Sequence, residues 1–189
     1  MAEAAAPAGE TPAAEAKLGL YSYWRSSCSH RVRIALNLKG LEYEYKAYLE
    51  DKYPERALLP QDLKMKALNL QIASIVCSGI QPLHNLTVLR FIEQKVGTGE
   101  SIPWTQQQID RGFTAAENLV KSCAGKYATG DEVRLADVFL APQIYAAVTR
   151  FQINMSNYPS LARLHEEYMK HPAFQAALPD RQPDAPSST

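Results

Sequence analysis

At 189 residues the chain can bury a sizeable core and fits one domain or two small ones. Its 20 basic side chains balance 20 acidic ones, so no global field would recruit nucleic acid or an anionic membrane. No apolar run approaches the roughly 18 to 20 residues that a membrane helix needs, and the expectation is a soluble protein.

The first 17 residues, "MAEAAAPAGETPAAEAK", lack both an apolar signal core and transit-peptide arginines, and read as a disordered cytosolic tail. Leu18 to Trp24 is short and aromatic-rich and ends in polar Arg25, Ser26 and Ser27, the pattern of a strand running into a loop. From Ser29 to Lys39 the apolar Val32, Ile34, Ala35 and Leu38 approximate one helix face, with Arg31 and Arg33 elsewhere and Gly40 as the stop. "LEYEYKA", from Leu41, then alternates strictly and predicts a half-buried strand. Together these pieces spell one βαβ unit with a right-handed crossover.

Two prolines in "YLEDKYPERALLPQD" mark a linker, and the rest reads as helical. Asp62 to Val96 is one long periodic segment kinked at Pro82, where a backbone donor is missing. A second helix is expected from about Pro103 to Cys123, with Ile109, Phe113, Ala116 and Val120 as its buried stripe. A third spans Leu135 to about Phe151, burying Val138, Ala141, Ile144, Tyr145 and Val148. A fourth is expected to start at Ser160 as N-cap, and "HPAFQAALP" adds a short last turn before a tail.

The three cysteines, Cys28, Cys77 and Cys123, are an odd number without metal-type spacing, which points to a reducing compartment and away from disulfides or zinc. Cys77 and Cys123 fall at apolar-face spacing and read as core.

"SSCSHRVRIAL" after a strand, "SGIQPLHNL" in the long helix, "GDEVRLADVFLAPQ" and "HPAFQAALPDRQPD" together resemble the zeta-class glutathione transferases, the family that includes maleylacetoacetate isomerase. The resemblance covers nearly all of 18–186. It implies a thioredoxin-like domain that binds glutathione as co-substrate, an all-helical domain shaping the second pocket, and a cytoplasmic homodimer. It places Ser26 against the glutathione sulfur, with Ser27 and Cys28 completing the catalytic motif, and Gln81 and Asn85 near glutathione. Arg25 and Arg150 become the candidates for the carboxylates of a dianionic substrate. The physical logic is that a hydroxyl donor and the positive end of a helix both favour thiolate over thiol. The thiolate adds to the conjugated double bond of maleylacetoacetate, the resulting single bond rotates, and elimination returns the trans isomer.

Several of these residues carry a second reading. Ser26 or Ser27 would serve equally as a helix N-cap, and Cys28 as a small buried hydrophobe. Arg150 could cap the end of its helix. Arg31 and Arg33 read as solvated or bridging to acidic partners, and His30 as pocket wall rather than base. Asp137 matches the aspartate of the family's buried capping motif, but the N-cap position holds Arg134, which cannot accept a hydrogen bond.

Only eight residues separate Gly40 from Leu49, and they encode one strand, whereas a complete thioredoxin-like domain needs a further helix, two more strands and most of a third helix there. The Val-Pro segment and the acidic-or-Gln residue followed by Ser, which hold the rest of glutathione in the family, are missing with it. The expected fold is therefore mainly α: an incomplete thioredoxin-like βαβ fragment over 18–52, a linker at 53–61, an all-helical transferase domain over 62–180, and a tail from 181 to 189. Alternative splicing or an incomplete gene model would account for the gap. The competing functional reading is a catalytically impaired isoform that pairs with full-length subunits or binds apolar ligands.

Overall fold

The computed structural model describes residues 27–41, 55 and 57–185. The N-terminal tail and the two predicted strands, apart from Leu41, lie outside these residues. Seven α-helices are described: α1 Ser27–Lys39, α2 Leu63–Ser74, α3 Leu86–Lys95, α4 Ser101–Val120, α5 Leu135–Arg150, α6 Pro159–Lys170 and α7 Pro172–Ala176. Among the described residues no single helix is long and apolar enough to cross a membrane.

The hydrophobic centre is α5. Its Ala136, Val138, Leu140, Ala141, Ile144, Ala146 and Ala147 are all buried, because α1, α2 and α6 pack around it. Its sequence is apolar on nearly every side, as a central helix requires. Ile109, Phe113, Ala116 and Val120 form the predicted stripe of α4 and are all fully buried, Ile109, Phe113 and Val120 each contributing about 1.5–3 kcal/mol of transfer energy. Val148, expected inside, is 38% exposed near the end of α5.

The segment read as one kinked helix is broken more deeply. Pro82 has no N–H to give to a carbonyl four residues back, and the helix widens ahead of it into a π-helical segment, Ile75–Ile80, with the Gln81 N–H bonded to the Val76 carbonyl. A 3₁₀ turn, Gln81–His84, follows, and Asn85 starts α3 afresh. The wider turn carries Cys77, Ser78 and Gly79 to the surface, so Cys77 is exposed rather than core. Cys123 is half-buried, its thiol 3.3 Å from the Leu119 carbonyl. Ile80 turns inward onto Gly112, where a Cβ would lie 2.2 Å from Ile80 Cγ1.

Asp62 and Asn85 cap the starts of α2 and α3 locally, while three other helix starts are held by side chains from elsewhere in the bundle. Glu93 on α3 accepts from the Gly99 and Ser101 N–H groups at the start of α4. Asn69, fully buried on α2, accepts from the Ala136 N–H of α5 at 2.9 Å and donates to Thr129. The Leu135 N–H goes to the Leu58 carbonyl, which docks the linker. The predicted Ser160 cap is replaced: α6 begins at Pro159, and Glu117 of α4 takes the Ser160 and Leu161 N–H groups at 2.9 and 3.0 Å. Ser160 is itself helical and donates its N–H, and the N-cap position falls on Tyr158, so the serine hydroxyl is two residues too late to cap. At α7 the His171 ring caps Ala173.

Asp137 sits fully buried at the start of α5, and one carboxylate oxygen accepts from the Arg134 N–H while the other accepts from the Ala128 N–H and the Tyr168 hydroxyl. Arg134 supplies no reciprocal acceptor and instead donates to the Ala57 carbonyl at 2.9 Å. The box is half present, and the buried carboxylate replaces what it lacks by tying three segments together. The chain beyond Pro179 remains anchored at first: Gln182 donates to the Ala176 and Leu178 carbonyls.

Candidate functional site

The candidate site lies where the first turn of α1 meets the C-terminal half of α5 and the 81–85 turn. Arg25 and Ser26 lie outside the described residues. Ser27 and Cys28 open α1, their side chains outside the described set. The backbone therefore places the motif at a helix N-terminus, where the partial positive charge favours a thiolate.

The next residues of α1 are not solvated. Arg31 and Arg33 are 7% and 2% exposed, which overturns the expectation that they face water. The face they occupy is covered by α5 and by the chain after α7. Arg31 lies over the Phe139 ring at 5.0 Å with Nη1 3.9 Å from Cys77 Sγ, and Arg33 Nε donates to the Ala177 carbonyl at 3.3 Å. Asn37 donates to the Ala173 carbonyl at 3.0 Å, tethering the other end of α1 to α7.

His30 is buried and stands edge-on to Tyr145, ring centroids 6.0 Å apart. Burial, then the charges of Arg33, Arg150 and Arg31, hold its pKa down to about 3, so the imidazole is neutral across the physiological range. That suits a pocket wall and excludes an imidazolium acid. Arg150 is half-buried at the end of α5, and its charge acts on His30, His84 and Tyr145 alike. It thus belongs to this cluster, whatever it adds to the helix terminus. Burial and then Asp180 push the Tyr145 hydroxyl up, with Arg150 pulling it back.

Gln81 is half-buried on the 3₁₀ turn. Asn85 is exposed and engaged locally: its Oδ1 accepts from the Val88 N–H and its Nδ2 donates to the Pro82 carbonyl. Two residues missed in the sequence join them. His84 Nε2 lies 3.2 Å from Gln143 Oε1, and both side chains are buried. The signal was a lone amide within the apolar "FLAPQIYAAV" and a histidine three residues after Gln81. His30 Nε2 and Gln143 Nε2, both buried, have no hydrogen-bond partner among the described residues. The positive charges of Arg31, Arg33 and Arg150 all reach His30 in the first turn of α1, a field that suits an anionic, oxygen-rich ligand such as a thiolate peptide or a dicarboxylate.

Residues 16–66 match the family model described as glutathione S-transferase, N-terminal domain. The chain is 51% identical to glutathione S-transferase Z1 of Arabidopsis thaliana over 93% of its own length and 97% of that protein's. It is 49% identical to the zeta-class glutathione S-transferase of Euphorbia esula, covering 92% and 95%. The chain belongs to the zeta-class glutathione transferases. Among solved structures, maleylacetoacetate isomerase from Anaeromyxobacter dehalogenans, with dicarboxyethyl glutathione and citrate bound in its active site, superposes with a TM-score of 0.83 at 39% identity over 88% of this chain and 92% of that one. The match with the Arabidopsis transferase runs over 215 positions although this chain has 189 residues, so at least 26 positions of that transferase face no residue here.

Proposed function

We propose that the chain catalyses the glutathione-dependent cis–trans isomerisation of maleylacetoacetate to fumarylacetoacetate, a step of phenylalanine and tyrosine catabolism. The observation that carries this reading is the superposition of the chain on a solved isomerase that holds a glutathione dicarboxylate adduct, with the positive charges of Arg31, Arg33 and Arg150 all acting on His30 in the first turn of α1. Glutathione supplies the thiolate that adds to the substrate's double bond. Ser26 donates a hydrogen bond to that sulfur, with Ser27 and Cys28 beside it at the helix start. Arg150, with Arg25, meets the substrate carboxylates and the enolate charge that develops on addition. His30, held neutral by burial and the neighbouring arginines, forms part of the pocket wall and adds no charge of its own.

The sulfur side of glutathione fits these residues; the γ-glutamyl side does not, because the Val-Pro and Gln/Glu-Ser landmarks have no counterpart in the sequence. The proposal therefore divides the chain into a shortened thioredoxin-like domain over 18–52, a linker at 53–61 and a helical domain over 62–180. This is supported by the eight residues between Gly40 and Leu49 and by the unmatched positions of the Arabidopsis relative. Gln81 and Asn85 contact the peptide from the helical side, and the active form is a cytoplasmic homodimer or a heterodimer with a full-length subunit.

The missing landmarks also favour a second reading, a non-catalytic isoform that pairs with full-length subunits. Calorimetric titration with glutathione, against a full-length zeta transferase, separates the two. Binding comparable to the control supports the enzyme; no binding, together with co-purification of a tagged full-length subunit, supports the partner role. Within the first reading, Ser26→Ala abolishes glutathione-dependent turnover, and unchanged turnover would sink the assignment of Ser26.

A further inference from the structure

In the proposed site, two separate pieces of backbone carry the groups that would meet glutathione and the dicarboxylate. Gln81 and Asn85 ride on the 81–85 turn, and Arg150 ends α5. Nothing in the sequence between them fixes their distance, since more than 60 residues intervene.

We infer that His84 is a positioning residue for the isomerase site, pinning the turn that carries Gln81 and Asn85 to the end of the helix that carries Arg150. This rests on the functional reading above and adds a residue to it. The imidazole of His84 spans the two pieces: Nε2 meets Gln143 Oε1 at 3.2 Å, and the ring packs against Phe151, the residue after Arg150, with centroids 5.3 Å apart. The amide oxygen of Gln143 only accepts, so Nε2 is the protonated nitrogen of His84. Both anchors are themselves held. The Phe151 carbonyl accepts from Gln106 of α4 at 2.9 Å, and the Leu83 carbonyl, next to His84, accepts from the Trp104 indole at 2.9 Å. His84 thus closes a ring of contacts running through the turn, α4 and the end of α5. Burial, with Arg150 and Arg31 adding to it, lowers the pKa of His84, which keeps the ring neutral and its single donor directed at Gln143.

The role predicts a specific asymmetry. A pin between two half-sites matters little to a ligand that occupies one of them and much to a ligand that bridges both. Binding of glutathione, of citrate and of S-dicarboxyethyl glutathione to the full chain is measured by calorimetry for the wild type, His84→Gln and His84→Leu. Gln reaches about as far as the imidazole and can donate; Leu fills the space and cannot. In His84→Leu the bridging adduct should weaken about tenfold while glutathione and citrate stay within about twofold, and His84→Gln should restore the adduct. Equal weakening of all three ligands in His84→Leu, or no weakening of the adduct, overturns the positioning role. If His84→Leu does not fold, His84→Asn, whose shorter donor falls short of Gln143, replaces it with the same expected pattern. A wild type that binds neither glutathione nor the adduct overturns the isomerase reading and the role of His84 with it.

Discussion

Replacing Asp137 by alanine tests the central claim about the helical core, that one buried carboxylate ties the 128 loop, the start of α5 and α6 together. Three donors lose their acceptor: the Ala128 and Arg134 N–H groups and the Tyr168 hydroxyl. Leaving a buried donor unsatisfied costs about 1–3 kcal/mol each, or about 3–9 kcal/mol in all. Against this stands the cost of keeping the charge buried. Desolvation raises the Asp137 pKa from 3.8 to about 6 despite those hydrogen bonds, a shift of about two units, or about 3 kcal/mol at neutral pH. The net expected loss at pH 7 is about 3 kcal/mol, a large part of the roughly 5–15 kcal/mol that holds a domain folded.

The raised pKa gives the test a second arm. A carboxyl whose folded pKa lies above its unfolded one favours the fold below the unfolded value, and that contribution disappears as the pH rises through the folded value. Between pH 7 and pH 4.5 the wild type should therefore gain about 2 kcal/mol relative to the variant, with all other titrations cancelling in the difference. Urea unfolding of both proteins at the two pH values measures this. A loss below about 1 kcal/mol at pH 7, or a gap that does not widen on acidification, would refute the reasoning.

Two further substitutions probe the packing of the helical bundle. Glu117→Ala removes the acceptor for two N–H groups at the start of α6 and should cost about 1–2 kcal/mol, with Glu117→Gln recovering part of it; a chemical-denaturation midpoint unmoved by Glu117→Ala would contradict the capping assignment. Gly112→Ala gains about 1 kcal/mol in helix propensity but forces a methyl to within 2.4 Å of two Ile80 carbons, so a net loss of about 1–2 kcal/mol is expected. Pairing it with Ile80→Ala should recover most of that loss, and additive losses in the double variant would show that the two residues do not meet.

Much of the helical order was legible in the sequence. The stripe Ile109, Phe113, Ala116 and Val120 repeats at helical spacing and is fully buried, and Gly40, at φ 64°, ends α1 where its lack of a side chain allows it. Hydrophobic spacing is a local property, written residue by residue, so local reading recovers it. The family was legible for a similar reason: "SSCSHRVRIAL" and "SGIQPLHNL" are contiguous.

What only the tertiary structure decided are relations between distant segments. Arg31 and Arg33 look like surface cations on α1 until α5 and the chain after α7 cover them. Ser160 has the chemistry of an N-cap, yet Glu117, from another helix, supplies the acceptor. Cys77 keeps core spacing on a regular helix and loses it where the backbone widens ahead of Pro82. The pairing of His84 with Gln143 joins residues 59 apart, and no spacing rule connects them. Sequence determines which segments coil and which faces are apolar, because those depend on neighbours along the chain. Which buried charge or amide finds which partner depends on how the helices dock, since a polar group taken out of water binds whatever donor or acceptor the fold brings within reach.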